Sequence, residues 1–270
     1  MSREVYRPRV PREVGAYDRR MRRLAALLAL SLRAAAAAAD EKADAVGRDL
    51  IAALGGQAAW DAARQVQFDF VLESDGEAIA RFSHVWDRST GDYRLTGTDK
   101  AGAPFAVYFN VHTRQGRVFV NGRSIEGEPA APLLENAYER FLNDSYWLLA
   151  PWMIFDPGVN RAYDGEKPCP GGGVCDILKV TFAEDAGRTP RDTYWLWIPR
   201  EGHRIVQWQY VLNGAADAPT TVAWSEWQKL GGLWLSLDKP MRGRPVSIRF
   251  ENTSVSSTRD DALFRPPANP

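Results

Sequence analysis

The stretch "RQVQFDFVLESDGEAIARFSHVWDRS", residues 64–89, decides the fold class. Apolar side chains occupy every second position from Val66 to Leu72, which is the period of a β-strand with one buried face. The pair Asp75-Gly76 is typical of a tight turn, and the chain then returns in a second extended segment. The stretch therefore predicts an antiparallel β-hairpin.

Extended segments of the same kind continue along most of the chain. They are "DYRLTG" (92–97), "PFAVYFNV" (104–111), "GRVFV" (116–120), "VNRAYDG" (159–165), "CDILKVTFAED" (175–185), "TYWLWIPREG" (193–202), "HRIVQWQYVL" (203–212), "TTVAWSEWQKLGG" (220–232), "LWLSLDKP" (233–240) and "PVSIRFENTSV" (245–255). Short turns between about ten such strands favour a meandering antiparallel sheet over a parallel α/β fold. We predict a mainly β protein in which a single curved antiparallel sheet forms an unclosed half-barrel covered by helices.

A helical insert interrupts the strands between residues 131 and 156. In "APLLENAYERFLND", residues 131–144, the apolar side chains share one helical face. The next stretch, "NDSYWLLAPWMIFDPGV" (143–159), begins like a helix cap and closes with an Asp-Pro-Gly turn. It is too short and too interrupted to span a bilayer, which needs about 20 apolar residues. We expect this insert, called the lid below, to cover the concave face of the sheet.

Aromatic and aliphatic side chains are more abundant on the sheet and the lid than a simple cover requires. The predicted ligand-binding residues are Phe68, Phe70, Phe82, Trp86, Phe105, Phe109, Trp208 and Tyr210 on the sheet and Tyr146, Trp147, Leu149, Trp152, Met153 and Phe155 on the lid. They could surround a cavity for an apolar ligand such as an acyl chain or lipid. They could equally complete a filled core, because aromatic clusters lie more often in a core than in a site.

The N-terminal segment has the order of a secretory signal peptide. Arg22 and Arg23 precede an apolar run from Leu24 to Leu32, and small residues follow up to Ala39. Residues 1–39 are thus expected to be an N-terminal extension and signal peptide, with Met21 as the true start. The mature chain would begin near Asp40 and reach the periplasm, and residues 40–270 would form a single domain.

The two cysteines agree with export. Cys169 and Cys175 end the Pro/Gly loop "CPGGGVC", which can bring their Cα atoms within bridging distance. An oxidising compartment would keep such a bond. We predict a structural disulfide between them, since the spacing matches neither a zinc site nor a Cys-x-x-Cys redox pair.

Charge and composition exclude several function classes. The 34 Lys and Arg residues balance the 34 Asp and Glu residues, so no nucleic acid partner is expected. Three histidines and two cysteines offer little material for a metal site. No nucleophile elbow, phosphate-binding glycine loop or His-Glu-x-x-His motif occurs, so we expect neither catalytic residues nor a cofactor. Asp144 and Asp156 are predicted as a helix cap and a turn former rather than a catalytic pair.

The order of these segments resembles a known family. The hairpin, "VWDRSTGDYRL", the central helices, "LWIPREGHRIVQWQYV", "WSEWQKLGGLWL" and the terminal "LFRPP" look like the outer-membrane lipoprotein-carrier superfamily (LolA/LolB-like) over residues 44–267. "YWLLAPWMIFDPG" is similar to a periplasmic branch of it. The resemblance implies an unclosed antiparallel barrel, a helical lid and an apolar cavity that accepts acyl chains.

The resemblance also implies a role for Arg88. In the carriers an arginine in a Trp-x-x-Arg-Pro context tethers the lid, and Trp86, Asp87 and Arg88 fall near that pattern, with Ser89 in place of the proline. Arg88 is thus the expected lid tether, bound to lid carbonyls. The expected function is a periplasmic binding or carrier protein, not an integral membrane protein, with an envelope membrane protein as a candidate partner. The alternative is a structural or partner-binding envelope module with a self-filled core.

Overall fold

β-Strands dominate residues 41–184, 189–215 and 217–267, the part of the chain that the computed structural model describes. The strands are β1 (Gln65–Ser74), β2 (Glu77–Asp87), β3 (Asp92–Thr98), β4 (Pro104–Asn110), β5 (Gly116–Val120), β6 (Arg123–Ile125), β7 (Val159–Pro168), β8 (Val174–Phe182), β9 (Thr193–Pro199), β10 (Gln207–Val211), β11 (Thr220–Ala223), β12 (Ser225–Leu230), β13 (Leu233–Pro240) and β14 (Val246–Ser256). The helices are α1 (41–53), α2 (Gln57–Ala62) and α3 (Ala131–Leu149), with 3₁₀-helices at Glu128–Ala130, Ala150–Met153 and Asp261–Phe264. The predicted signal peptide, residues 1–39, lies outside the described residues.

The strands pair in chain order into antiparallel sheets that do not close into a barrel. The larger sheet has nine strands in the order β12-β13-β14-β1-β2-β3-β4-β5-β6, and the smaller has five in the order β11-β10-β9-β8-β7. Helix α3 and its 3₁₀-helix connect β6 to β7, the two strands at the outer edges, which do not pair. The predicted mainly β, unclosed, helix-covered architecture is confirmed.

The strands form two sheets where the sequence predicts one, and the break lies at Trp224. Strand β11 ends at Ala223, and Ser225 already pairs with Asp238 of β13 in the other sheet. Only one isolated bridge, between Val222 and Met241, links the sheets among the described residues. The chain therefore changes sheets within two residues, too abruptly for the ladder to continue.

The hairpin of β1 and β2 forms as the sequence predicts. Asp75 and Gly76 both have positive φ angles, 53° and 82°, as the tight turn requires. Phe70 pairs with Phe82, and Phe68 pairs with His84, in an antiparallel register. The two phenylalanines of β1 point with the other buried side chains into one apolar core that α1, α3 and both sheets share.

Helix α3 extends further than the sequence predicts. The expected helix start at residues 143–145 is wrong, because α3 runs without interruption from Ala131 to Leu149. It ends just before Pro151, which has no backbone N–H to continue the hydrogen-bond ladder. No helix among the described residues is both long enough and apolar enough to cross a membrane.

The predicted disulfide is confirmed. Cys169 and Cys175 are bonded, with their Cα atoms 5.1 Å apart, and no described cysteine is free. The bond closes the loop between β7 and β8, in which Gly171, Gly172 and Gly173 all adopt positive φ angles. It thus fixes one end of the five-stranded sheet.

A buried carboxylate ties the C-terminal segment to the larger sheet. The Asp87 side chain is fully buried; Arg259 Nη1 lies 2.9 Å and Arg64 Nη2 3.2 Å from its Oδ2. The backbone N–H groups of Ser89 and Thr90 donate to Oδ1. Burial alone would raise the pKa of Asp87, but these hydrogen bonds outweigh it and lower the pKa from 3.8 to about 2.

We expect the protein to lose stability between about pH 5 and about pH 2. A folded-state pKa below the unfolded value means that the Asp87 contribution is complete above about pH 5 and disappears as the pH falls through 3.8 toward about 2. The contribution is on the order of 2 kcal/mol. Urea denaturation curves of the wild type and Asp87→Asn should converge at low pH, whereas Asp164→Asn, at an exposed position, should parallel the wild type. A constant offset for Asp87→Asn would contradict the prediction.

Candidate functional site

An open groove lies between the C-terminal half of α3, the segment that follows it, and strands of the smaller sheet. Its volume is 590 Å³. The side chains from α3 to Pro157 that line it are Glu139, Leu142, Asn143, Tyr146, Trp147, Met153, Asp156 and Pro157. Those from β7 to the end of β10 are Val159, Phe182, Thr189, Asp192, Tyr194, Tyr210 and Leu212. We call this the lid groove.

Aromatic rings form the walls of the lid groove. From α3, the Tyr146 ring lies 5.5 Å from Tyr194, and the Trp147 ring lies 5.8 Å from Tyr210 and nearly perpendicular to it. Beneath them Trp208 is only 1% exposed and lies 4.8 Å from Trp147. The groove is thus an aromatic trough whose base is part of the core.

A buried carboxylate lies among these rings. Asp192 is 3% exposed; its Oδ1 accepts from the backbone N–H of Asn213 at 2.7 Å and its Oδ2 accepts from the Tyr194 hydroxyl at 3.3 Å. Burial, together with the negative charge of Asp192, raises the pKa of both Tyr146 and Tyr194. Both hydroxyls therefore remain protonated; the Tyr194 proton is donated to Asp192, and the Tyr146 hydroxyl can donate to a ligand.

Four of the predicted ligand-binding residues line the groove, namely Tyr146, Trp147, Met153 and Tyr210. The structure places the other ten elsewhere. Seven are buried in the core: Phe68, Phe70, Phe82, Phe109, Leu149, Trp152 and Trp208. Trp86 and Phe105 pack against that core, and Phe155 is 40% exposed beside Arg161.

Direct packing of α3 on the larger sheet explains this distribution. The Phe141 ring lies 5.1 Å from Trp86 and 5.0 Å from Tyr93, and the Arg140 guanidinium covers Phe82 at 3.4 Å. These contacts occupy the concave face of the nine-stranded sheet, where the sequence places the cavity. The lid groove lies instead over the smaller sheet.

Sequence reasoning missed Tyr194, Phe182 and Asp192 as groove residues. Strand β9 reads "TYWLWIP", in which both faces carry aromatic rings, so its alternation does not show which ring faces inward. Tyr194 faces the groove, while the half-buried Trp195 lies on the opposite face. The only signal for Asp192 was an acidic residue directly before a strongly apolar strand.

A buried polar cluster lies beneath the middle of α3. His84 Nδ1 is 2.7 Å from the Tyr93 hydroxyl, and His84 Nε2 is 3.2 Å from Asp144 Oδ2, an ion-pair distance without hydrogen-bond geometry. Arg140 Nη1 contacts the same carboxylate at 3.3 Å. Asp144 is therefore not the predicted helix cap, because it lies inside α3 and joins the helix to β2.

Arg88 binds different carbonyls from those expected. Its guanidinium donates to Trp60 O and Ala63 O, both at 2.6 Å, at the C-terminal end of α2. It also lies 3.5 Å from the centre of the Trp60 ring. That ring in turn stacks on Trp152 of the lid at 5.2 Å with an interplanar angle of 6°. The connection from Arg88 to the lid thus runs through α2 and two stacked indoles.

Arg88→Leu should loosen the lid more than it lowers global stability. The variant loses two charged hydrogen bonds and the support for Trp60, a cost of about 1.5–3 kcal/mol per bond before relaxation. Hydrogen exchange in residues 150–156 should accelerate, and Arg88→Lys should not restore protection because an ammonium cannot stack and bridge two carbonyls in the same way. Arg81→Leu, an exposed ion-paired position on β2, is the control. Unchanged exchange in the lid would refute this connection.

No group of three or more His, Cys, Asp or Glu side chains that could hold a metal ion occurs among residues 41–184, 189–215 and 217–267. The chemistry available in the lid groove is therefore that of aromatic faces, hydroxyls and carboxylates.

Comparisons with known proteins identify similar structures at low identity. No protein-family model and no curated protein sequence matches the chain. A DUF1329 family protein from Desulfovibrio piger is 14% identical with a TM-score of 0.45, over 81% of this chain and 95% of that one. A LolA superfamily protein from Nitrosomonas europaea is 11% identical with a TM-score of 0.49, over 83% and 97%.

A third similar structure is a domain from Vibrio parahaemolyticus described as outer membrane lipoprotein-sorting. It is 10% identical with a TM-score of 0.41, over 84% of this chain and 97% of that chain. The similar structures thus include a member of the superfamily that the sequence resembles, and the likeness is one of fold.

Proposed function

We propose that the protein binds a ligand with an apolar chain, such as an acyl chain or lipid, in the lid groove and acts as a periplasmic binding or carrier protein. The observation that carries the proposal is the groove itself. Its volume, 590 Å³, lies within the range of about 300–1,000 Å³ that is usual for small-molecule sites. Its walls are mainly aromatic and aliphatic, with a few polar groups that could orient a bound molecule.

The surface of the groove suits a chain rather than a compact polar molecule. Leu142, Met153, Val159 and Phe182 supply apolar contacts along it, and Leu212 is 46% exposed at its edge. Burying apolar surface contributes roughly 25 cal/mol per Å², so an alkyl chain that covers these side chains gains substantial free energy. The ligand would thereby complete a core that the chain leaves open.

The lid provides a part that can move when a ligand enters. Pro151 and Pro157 both lack a backbone N–H, and they bracket the segment that contributes Met153 and Asp156 to the groove. A carrier needs closed and open lid states that differ by only a few kcal/mol. A short segment between two prolines meets that requirement better than a continuous helix.

The proposed periplasmic location rests on two features of different strength. The disulfide between Cys169 and Cys175 supports an oxidising compartment. Export through a signal peptide in residues 1–39 remains a prediction from the sequence, as does the single mature domain of residues 40–270. N-terminal sequencing of protein from the native host should find a start near Asp40.

Mass spectrometry of an organic extract tests the binding proposal directly. Protein purified without detergent should release an acyl lipid in near-stoichiometric amount, and the emptied protein should bind an environment-sensitive apolar dye that the lipid displaces. Trp147→Leu, which changes a groove wall, should lower the affinity for the dye. Trp195→Leu, on the opposite face of the smaller sheet, should leave that affinity unchanged. A clean extract together with no dye binding would contradict the proposal and favour a partner-binding module with a self-filled core.

A further inference from the structure

We infer that the ligand of the lid groove carries a cationic head group, an ammonium or quaternary amine, on its apolar chain. The inference rests on the proposed function and deepens it by naming the class of amphiphile. Three features of the groove carry it: a buried carboxylate with no cationic partner among the described residues, aromatic faces arranged around the same space, and no basic side chain in the described part of the lining.

The charge of Asp192 is not neutralised within the described chain. Asp192 is 97% buried, given its 3% exposure, and both of its hydrogen-bond donors, the Asn213 N–H and the Tyr194 hydroxyl, are neutral. No Lys or Arg of residues 41–184, 189–215 or 217–267 forms an ion pair with it. A buried charge without a counter-charge is costly, so a cation that enters the groove would remove that cost.

The aromatic rings also favour a positively charged ligand. The faces of Tyr and Trp carry negative electrostatic potential, and quaternary ammonium groups bind in cages built from such faces. Trp147 and Tyr210 stand at 84° to each other with centres 5.8 Å apart, and Tyr194 lies 6.1 Å from Tyr210. Tyr146 completes the group at 5.5 Å from Tyr194, so four rings and Asp192 line one space.

The rest of the described lining does not offset the negative potential of Asp192 and the ring faces. Glu139 and Asp156 bring the number of carboxylates in the lining to three, and no Lys, Arg or His is among the described side chains that line the groove. Burial raises the pKa of Asp156 and the charge of Arg88 opposes this rise, but the Arg88 guanidinium is already bound to Trp60 O and Ala63 O. An anionic head group, such as a carboxylate or phosphate, would meet carboxylates and ring faces, and no Lys, Arg or His of the described lining could pair with it.

A matched set of single-chain amphiphiles tests the inference on the full mature protein. Dodecyltrimethylammonium, dodecyl maltoside and dodecyl sulfate share one chain and differ in head-group charge, and each is titrated below its micelle concentration by calorimetry. We expect the cation to bind at least about tenfold more tightly than the anion, which corresponds to about 1.4 kcal/mol. Equal affinities, or a preference for the anion, would overturn the inference of a cationic head group and leave the proposal of an apolar-chain ligand intact. If none of the three amphiphiles bound, the proposed function itself would be contradicted.

Variants separate the carboxylate from the rings. Asp192→Asn keeps an oxygen that accepts from the Asn213 N–H, places an NH2 that can donate to the Tyr194 hydroxyl, and removes the charge. The preference for the cation should therefore fall severalfold while the affinity for the maltoside stays. Asp164→Asn, at an exposed position of β7, makes the same charge change outside the groove and should have no effect. Retained discrimination in a folded Asp192→Asn protein would overturn the role of Asp192.

Tyr210→Leu provides a second test where Asp192→Asn fails to fold. It removes one half-buried ring face and preserves apolar surface, so the cation should lose affinity while the maltoside does not. An equal loss for both ligands would show that the ring acts only as apolar surface and would count against the inference.

Discussion

Trp152→Ala should lower the free energy of unfolding by about 3–5 kcal/mol, the range measured when large buried side chains are removed. Trp152 is 4% exposed, stacks on Trp60 and does not line the lid groove. Trp147→Ala should cost less stability, because Trp147 is only half-buried and faces the groove. Its affinity for an apolar-chain ligand should instead fall at least about tenfold, or 1.4 kcal/mol.

Urea denaturation and dye binding on the same preparations measure the two effects. Trp195→Ala is the matched control for Trp147→Ala, since both indoles are half-buried but Trp195 lies on the other face of the smaller sheet. It should alter stability to a similar extent and leave binding unchanged. If Trp147→Ala instead destabilised the protein as much as Trp152→Ala and did not affect binding, Trp147 would be a core residue and the groove would not be a site.

The strands could be predicted from the sequence because alternation and turn residues are properties of short segments. The alternation from Val66 to Leu72 and the turn at Asp75-Gly76 determine the first hairpin without reference to any other part of the chain. The change of sheets at Trp224 depends on how far β13 can bend to reach β11, which no single segment encodes. The single predicted sheet therefore becomes two, while the antiparallel order is retained.

The position of the site could not be predicted in the same way. An aromatic residue on a sheet face becomes core or groove according to where α3 lies on the sheet, and that depends on long-range contacts. Phe141 and Arg140 cover the larger sheet, so Phe68 and Phe82 become core, whereas Tyr194 and Tyr210 of the smaller sheet line the lid groove. The lid residues were easier to predict, because the density of aromatic residues after Asn143 is a property of the segment itself.

The buried cluster beneath α3 shows how a polar residue can mislead a sequence reading. The series Asn143-Asp144-Ser145 is typical of a helix cap, and the competing signal, Arg140 and Asp144 at helical i, i+4 spacing, is common on exposed helix faces. The partner that decides the question is His84, 60 residues earlier in the chain. A buried histidine opposite the helix gives Asp144 a reason to lie inside the fold.

Asp144→Ala should therefore cost about 1–3 kcal/mol, the range expected when buried polar groups lose a partner. The Tyr93 hydroxyl, whose pKa is raised by burial and by the charge of Asp144, stays protonated and can donate to His84 Nδ1. The truncation removes the carboxylate that lies 3.2 Å from His84 Nε2 and 3.3 Å from Arg140 Nη1, so both groups lose that neighbour.

A double-mutant cycle with His84→Ala measures the coupling between helix and sheet. The double variant should be destabilised by less than the sum of the single variants, with a coupling free energy of about 0.5–3 kcal/mol, because contacting residues are not additive. Asn136→Ala, at an exposed position of α3, controls for changes in helix propensity and should be nearly neutral. Additive effects of His84→Ala and Asp144→Ala would show that the 3.2 Å contact contributes nothing to holding α3 on β2. A positive coupling would show that this contact helps to hold α3 on β2.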